Sequence, residues 1–171
     1  VDCIYVADEL FCKNRQEMLD IYKAFKESGI KFKWGVETRV GIFEKDDFKI
    51  MKDAGCIWIA FGIETGSPAM MKKIKKNLPF DKIEQTFIDC KAVDLVSLAN
   101  FIIGFPDETE EEFRETIDMA MRIATTQRTF FFYMPGPGSE LYDELVASGR
   151  YKPPKTFRDY TNIRFFYSPK P

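Results

Sequence analysis

Residues 57–63, Ile-Trp-Ile-Ala-Phe-Gly-Ile, form an almost wholly apolar run that stops at Glu64-Thr65-Gly66. A strand without polar alternation is expected where both faces are covered, as in a parallel sheet flanked by helices. A second run, Phe101-Ile102-Ile103-Gly104, stops at Phe105-Pro106-Asp107-Glu108-Thr109. Each run ends in a glycine and an acidic residue, and each leads at once into a helix start. Two such units in series suit a parallel α/β sheet that gathers polar groups at the carboxyl ends of its strands.

The rest of the chain repeats the alternation. Cys3–Ala7 is apolar and ends in Asp8-Glu9, and residues 32–38 alternate like a strand. Asn14 with Glu17 reads as a capping box, for a helix stopped by Gly29. Glu44–Asp53 is a second helical stretch, closed by Gly55. Ser67-Pro68 supplies an N-cap and a first helical residue. After Asn77-Leu78-Pro79, Asp81 with Glu84 is expected to cap the next helix, and Thr109 with Glu112 the one after strand 98–103. Residues 129–134 form a fifth strand before Pro135-Gly136-Pro137-Gly138, and a helix over 140–148 stops at Gly149. The expected class is α/β, with five parallel strands alternating with helices through right-handed crossovers. Residues 1–152 make one domain, and 153–171 a C-terminal extension with an aromatic stretch at 163–167.

Composition narrows the function. A net charge of −2 and a pI of about 5.4 give no general attraction to nucleic acid or to a membrane surface. No apolar stretch approaches a membrane span and no leader pattern opens the chain, so the expected location is cytoplasmic. Histidine is absent, and Cys3, Cys12, Cys56 and Cys90 have no metal-ligand spacing. Each cysteine is expected to be a small buried hydrophobe. The lysines at 72, 73, 75 and 76 read as a solvated face. The chain starts in mid-strand without a methionine, so it is expected to be a piece of a longer protein.

In a parallel sheet, the strand ends present Asp8 and Glu9, Glu37 and Arg39, Glu64 and Thr65, and Asp107 and Glu108 on one rim. Carboxylates there accept hydrogen bonds from hydroxyls and ammonium groups, while Arg39 suits a ligand carboxylate. For Glu110, Glu111 and Glu112 the helix dipole is explanation enough.

The segments Ile4–Phe11 (IYVADELF), Trp34–Arg39 (WGVETR), Met51–Gly66 (MKDAGCIWIAFGIETG), Phe101–Thr109 (FIIGFPDET) and Pro135–Tyr142 (PGPGSELY) occur in an order that resembles the radical S-adenosylmethionine (SAM) superfamily. Within it they resemble the group whose members often carry an upstream cobalamin-binding domain, such as anaerobic Mg-protoporphyrin IX monomethyl ester oxidative cyclase-like proteins. The resemblance implies a partial (βα)-barrel, an open relative of the eight-unit barrel, with its first βα unit absent. It implies that Asp8 and Glu9 bind the SAM amino group and that Glu64, with Thr65 beside it, contacts the ribose. Ile102, Ile103 and Gly104 would pack on the adenine, with Glu108 the acid of that motif and Arg39 a partner for the carboxylate. The family's CxxxCxxC run, which holds a 4Fe–4S cluster, does not occur here, and the strand 98–103 motif has Asn100 where a glycine is expected.

The implied cofactors are S-adenosylmethionine, a 4Fe–4S cluster with ligands outside this chain, and cobalamin where an upstream domain supplies it. The implied chemistry is a 5′-deoxyadenosyl radical used for methyl transfer or oxidative cyclisation of a small-molecule substrate, with no nucleic-acid or membrane partner. The chain alone is expected to be inactive, its catalytic residues are not assigned, and its first strand is expected to be an open edge that favours a dimer. The alternatives are a non-catalytic nucleotide- or metabolite-binding α/β module, and a barrel lyase or hydrolase using Glu64 and Glu108 as acid and base.

Overall fold

The structure, a computed structural model, describes residues 3–8 and 10–156. Five strands alternate with helices: β1 (Cys3–Val6), α1 (Arg15–Ser28), β2 (Lys33–Thr38), α2 (Lys45–Asp53), β3 (Cys56–Glu64), α3 (Pro68–Lys73), α4 (Phe80–Ala92), β4 (Val96–Ile103), α5 (Glu110–Arg122), β5 (Gln127–Phe132) and α6 (Glu140–Ala147). All neighbouring strands are parallel, and their order across the sheet is β1-β2-β3-β4-β5. A sequential order of this kind winds one way only, as in a barrel, and right-handed crossovers then put the helices on one face.

Local signals explain most of the boundaries. Asn14 Oδ1 accepts from Glu17 N at 3.0 Å and starts α1, and Gly29 ends it with a left-handed φ of 65°. Thr109 and Glu112 form the reciprocal capping box of α5. The start of α4 differs from the sequence expectation. Its N-cap is Pro79, whose side chain offers no acceptor; Asp81 lies within the first turn and Glu84 pairs with Arg122. The missing N–H of Pro79 costs this helix nothing, because that group has no intrahelical partner at a helix start.

The core lies between the sheet and its helices. Phe61 on β3 sits between Phe48 on α2 and Phe87 on α4, at ring centroid separations of 6.1 and 5.4 Å, all edge-to-face. Val36, Ile59, Ile63, Ala99 and Phe101 face the same way and are fully buried. A smaller cluster of Met70, Phe105, Tyr133, Leu145 and Tyr151 docks α3 and α6 onto the β4 and β5 ends.

The opposite face of β3 is not covered by helices, contrary to the expectation of cover on both sides. Trp58, Gly62 and Glu64 are only partly buried there. Trp58 stacks on Tyr5 at 5.5 Å and lies over Gly35, where a Cβ would come within 2.0 Å of the ring. The apolar run therefore reflects a partly filled barrel interior and not a second helical layer. Cys12, Cys56 and Cys90 are buried as expected, but Cys3 is exposed on β1. No helix among the described residues is long and apolar enough to cross a membrane. The expected extension lies outside the described residues from 157 onward.

Candidate functional site

At the carboxyl ends of β2, β3 and β4 an open cleft of about 280 Å³ is lined by Glu37, Arg39, Glu64, Lys76, Asn100 and Phe131, with Thr38, Gly62 and Ile102 completing its walls. Its position follows from the strand period: residues two apart share a face, so Gly62, Asn100 and Ile102 all point inward. Gly62 and Asn100 are directly paired across β3 and β4, as are Ile102 and Phe131 across β4 and β5.

Glu64 is placed by an irregularity. The β3–β4 register shifts between Gly62 and Glu64, and Glu64 takes a left-handed φ of 72°. Few non-glycine residues adopt that conformation without a reason in the surrounding structure. Its effect is to fold the carboxylate back over Gly62, where a Cβ would sit 2.5 Å from Glu64 Oε1. Gly62 thus lets the Glu64 carboxylate and the Lys76 ammonium settle against the strand. Lys76 Nζ donates to Glu64 Oε1, and both side chains are largely buried, at 18% and 21% exposure.

The remaining walls are less committed. Tyr5 Oη donates to Glu37 Oε1 at 2.9 Å, and this hydrogen bond holds the phenol above its ordinary pKa. Among the described residues no acid pairs with Arg39 and no group hydrogen-bonds the Asn100 amide. Ile102 and Phe131 make the apolar end.

The sequence-derived residues divide. Arg39, Glu64 and Ile102 meet in the cleft. Asp8 does not line it: it is exposed beyond β1, where Oδ1 accepts from Leu10 N at 3.3 Å. Glu9 lies outside the described residues. Thr65 turns its side chain the other way, fully buried against α5, where its hydroxyl meets the Thr116 hydroxyl at 3.0 Å. The carbonyl of Ile103 accepts from Tyr133 N at 2.8 Å, and Gly104, with φ 74°, donates its N–H to Glu108 Oε2 at 2.6 Å. Glu108 is therefore spent on its own turn. Burial pushes its carboxyl above the usual range, although the Gly104 and Phe105 N–H groups pull the other way, and Oε1 is buried without a hydrogen-bond partner among the described residues. Glu64 and Glu108 do not share a cleft, which removes the pairing an acid–base mechanism needs.

Lys76, Asn100 and Phe131 were not among the sequence-derived site residues. Lys76 belongs to the cluster read as a solvated face; that reading holds for Lys72, Lys73 and Lys75, which are exposed, and the structure corrects it at Lys76. Lys73 bonds Pro106 O at 2.6 Å and approaches Asp107, Lys75 pairs with Glu140, and Lys76 pairs with Glu64. The available signal for Lys76 is its place just before Asn77-Leu78-Pro79, where α3 has ended and the chain crosses back over the rim.

The cleft fits S-adenosylmethionine. Among the described residues it offers a guanidinium with no acid partner, an acid for hydroxyls, an amide with no hydrogen-bond partner, an apolar wall, and a backbone floor at Gly62 beneath the Glu64–Lys76 pair. A 4Fe–4S cluster is not fitted by these residues: no three acidic or cysteine side chains among the described residues are grouped to hold a metal. Burial pushes the Cys56 and Cys90 thiols up to about 12 and Cys12 to about 11, away from the thiolate form a metal needs.

The chain is 33% identical over 156 residues to an uncharacterized methyltransferase of Pyrococcus horikoshii, a match covering 91% of this chain and 34% of that protein. It is 27% identical over 144 residues to the anaerobic magnesium-protoporphyrin IX monomethyl ester cyclase of Cereibacter sphaeroides, covering 82% of this chain and 24% of that one. The chain thus spans about a third or less of the curated relatives it matches. Its fold is shared with the radical S-adenosylmethionine methyltransferase TsrM from Kitasatospora setae, solved with cobalamin and a 4Fe–4S cluster: TM-score 0.66, 17% identity, 78% of this chain and 25% of that one. The Radical SAM superfamily model matches residues 6–120, and the chain belongs to the radical SAM superfamily.

Proposed function

We propose that this chain is the S-adenosylmethionine-binding part of a radical SAM enzyme and holds the cofactor in the cleft between β2 and β4. The supporting observation is the convergence of Arg39, the Glu64–Lys76 pair and the Ile102–Phe131 wall at consecutive strand ends. In this assignment Glu64 accepts from the ribose hydroxyls, Arg39 and Lys76 hold the ligand carboxylate, and Ile102 packs on the base. Glu64 turns from Lys76 toward the ribose, which frees the ammonium group for the carboxylate. The uncovered inner face of the sheet beside this cleft is where a small-molecule substrate would lie.

Bound beside a reduced cluster, the cofactor supplies a radical or a methyl group. The names of the relatives, a methyltransferase and a ring-forming cyclase, point to methyl transfer or oxidative cyclisation as the overall reaction. The residues of this chain bind and orient the cofactor and exclude water from it.

Calorimetric titration with S-adenosylhomocysteine tests the binding. Wild-type chain binds it, and Glu64→Ala weakens binding by about tenfold or more, the loss of charge-assisted hydrogen bonds to two hydroxyls. Absence of binding to the wild-type chain overturns the proposal.

The alternative reading is a non-catalytic metabolite-binding module. Anaerobic reconstitution with iron and sulfide, followed by dithionite and SAM, separates the two. The chain alone is expected to release no 5′-deoxyadenosine. The whole gene product releases it if the enzyme reading holds, and does not if the module reading does.

A further inference from the structure

We propose that Asn100 is a specificity-determining residue of this cleft and that its amide reads the exocyclic amino group of an adenine. The inference rests on the SAM-binding reading and adds a residue that distinguishes one base from another.

Asn100 is half-buried on the inner face of β4, with Gly62 of β3 on one side and Thr129 of β5 on the other. A side-chain amide carries two donors and an acceptor, which at a half-buried sheet position a bound ligand can satisfy in place of water. Among the described residues nothing bonds this one. The missing side chain at Gly62 lets the Glu64–Lys76 pair fold in beside the amide.

The position within the cleft selects the ligand group. Arg39, Glu64 and Lys76 make one end ionic, Ile102 and Phe131 make the other apolar, and Asn100 lies in the floor where the two meet. A ligand with a zwitterionic tail and a flat heteroaromatic ring puts its tail at the first end and its ring at the second. The amide then meets the polar edge of the ring. Adenine offers an amino N–H beside a ring nitrogen, which matches the carbonyl and NH₂ of one asparagine amide in a bidentate pair. A purine with no amino group leaves the Asn100 carbonyl oxygen without a donor.

The test is calorimetry on this chain with two ligands: S-adenosylhomocysteine and its counterpart whose purine lacks the 6-amino group. Wild type prefers the adenine ligand by about tenfold, the worth of one hydrogen bond to a desolvated acceptor. Asn100→Leu, which keeps the volume, and Asn100→Ala lose that preference. Their affinity for the adenine ligand falls to the level of the purine ligand, which they bind as wild type does. A preference that survives in both variants overturns the proposal, as does equal weakening of both ligands, which marks a general distortion of the floor. A wild-type chain that binds S-adenosylhomocysteine while the variants behave like it sinks only the Asn100 assignment. A wild-type chain that binds neither ligand sinks the SAM reading as well.

Discussion

The ends of β3 and β4 are written alike and built differently. Both carry a glycine and then a carboxylate just past an apolar strand, and both lead into a helix. At β3 the left-handed residue is the glutamate itself, Glu64, so its side chain swings over the inner face and into the cleft. At β4 the left-handed residues are Gly104 and Asp107, so the chain makes a compact turn and Glu108 closes it from within, bonding Gly104 N. One acid lines the open cleft and the other is consumed by the backbone. What separates them is the dihedral that precedes the helix, not the residue types.

The largest effect that tests this contrast is expected at the two glycines. Gly66 packs onto α5, where a Cβ would lie 2.5 Å from Glu115 O and 2.8 Å from Thr116 Cα. Gly66→Ala is expected to cost roughly 3 kcal/mol, because backbone on both sides has to move. Gly104→Ala meets nothing closer than Phe132 Cδ1 at 4.0 Å, so only its φ of 74° is strained, a cost of about 1–2 kcal/mol. Urea unfolding midpoints check both. Equal losses would mean that the β3 turn is no more tightly seated than the β4 turn.

Next come the carboxylates. Glu64→Ala is expected to abolish most ligand affinity, while Glu108→Ala leaves affinity near wild type and lowers stability by about 1–2 kcal/mol through the freed N–H of Gly104. Paired calorimetry and unfolding measurements decide this. An affinity loss at Glu108 equal to that at Glu64 would place both acids on the ligand. Glu108 also gives a pH signature. Burial raises its folded pKa above the unfolded one, so the folded chain holds that proton more tightly. Its contribution to stability is therefore complete below the ordinary carboxylate range and is lost as pH rises toward the raised value. Glu108→Gln keeps an acceptor for Gly104 and cannot ionise. The melting temperature of wild type should fall relative to this variant as pH rises through that window; a constant difference would refute the buried, spent role.

The same contrast bears on what was legible beforehand. The alternation, the parallel sheet and the caps at Asn14 and Thr109 follow from local chemistry within one helical turn, and the chain order displays them directly. Glu64 was legible because an acid closing an apolar strand has few structural uses. The start of α4 was not, since Asp81 is favoured anywhere in a first turn and only the backbone shows that Pro79 is the cap. Nor was Lys76, whose 12-residue separation from Glu64 has no periodic meaning until α3 ends and the chain returns across the rim. The one-sided cover of β3 escaped for a related reason. A narrow barrel interior and a second helical layer both ask for small or apolar residues, and Trp58 over Gly35 satisfies the first.

The smallest expected effect divides the lysine cluster itself. Lys75 reaches Glu140 at 2.5 Å, but both side chains are mostly in solvent, at 68% and 72% exposure. An exposed pair of this kind contributes about 0–1 kcal/mol, so Lys75→Ala should shift the unfolding midpoint barely at all. Its charge also lies outside the cleft, which Lys76 alone of the cluster lines. With a screening length of about 8 Å at physiological salt, removing Lys75 should leave ligand affinity unchanged, whereas Lys76→Met should weaken it at every ionic strength. If Lys75→Ala weakened binding too, and added salt erased the difference, the rim would be attracting its ligand through a diffuse field. If only Lys76→Met does so, the ammonium beside Glu64 is part of a built site, and the contrast between the β3 and β4 ends extends to the cations that serve them.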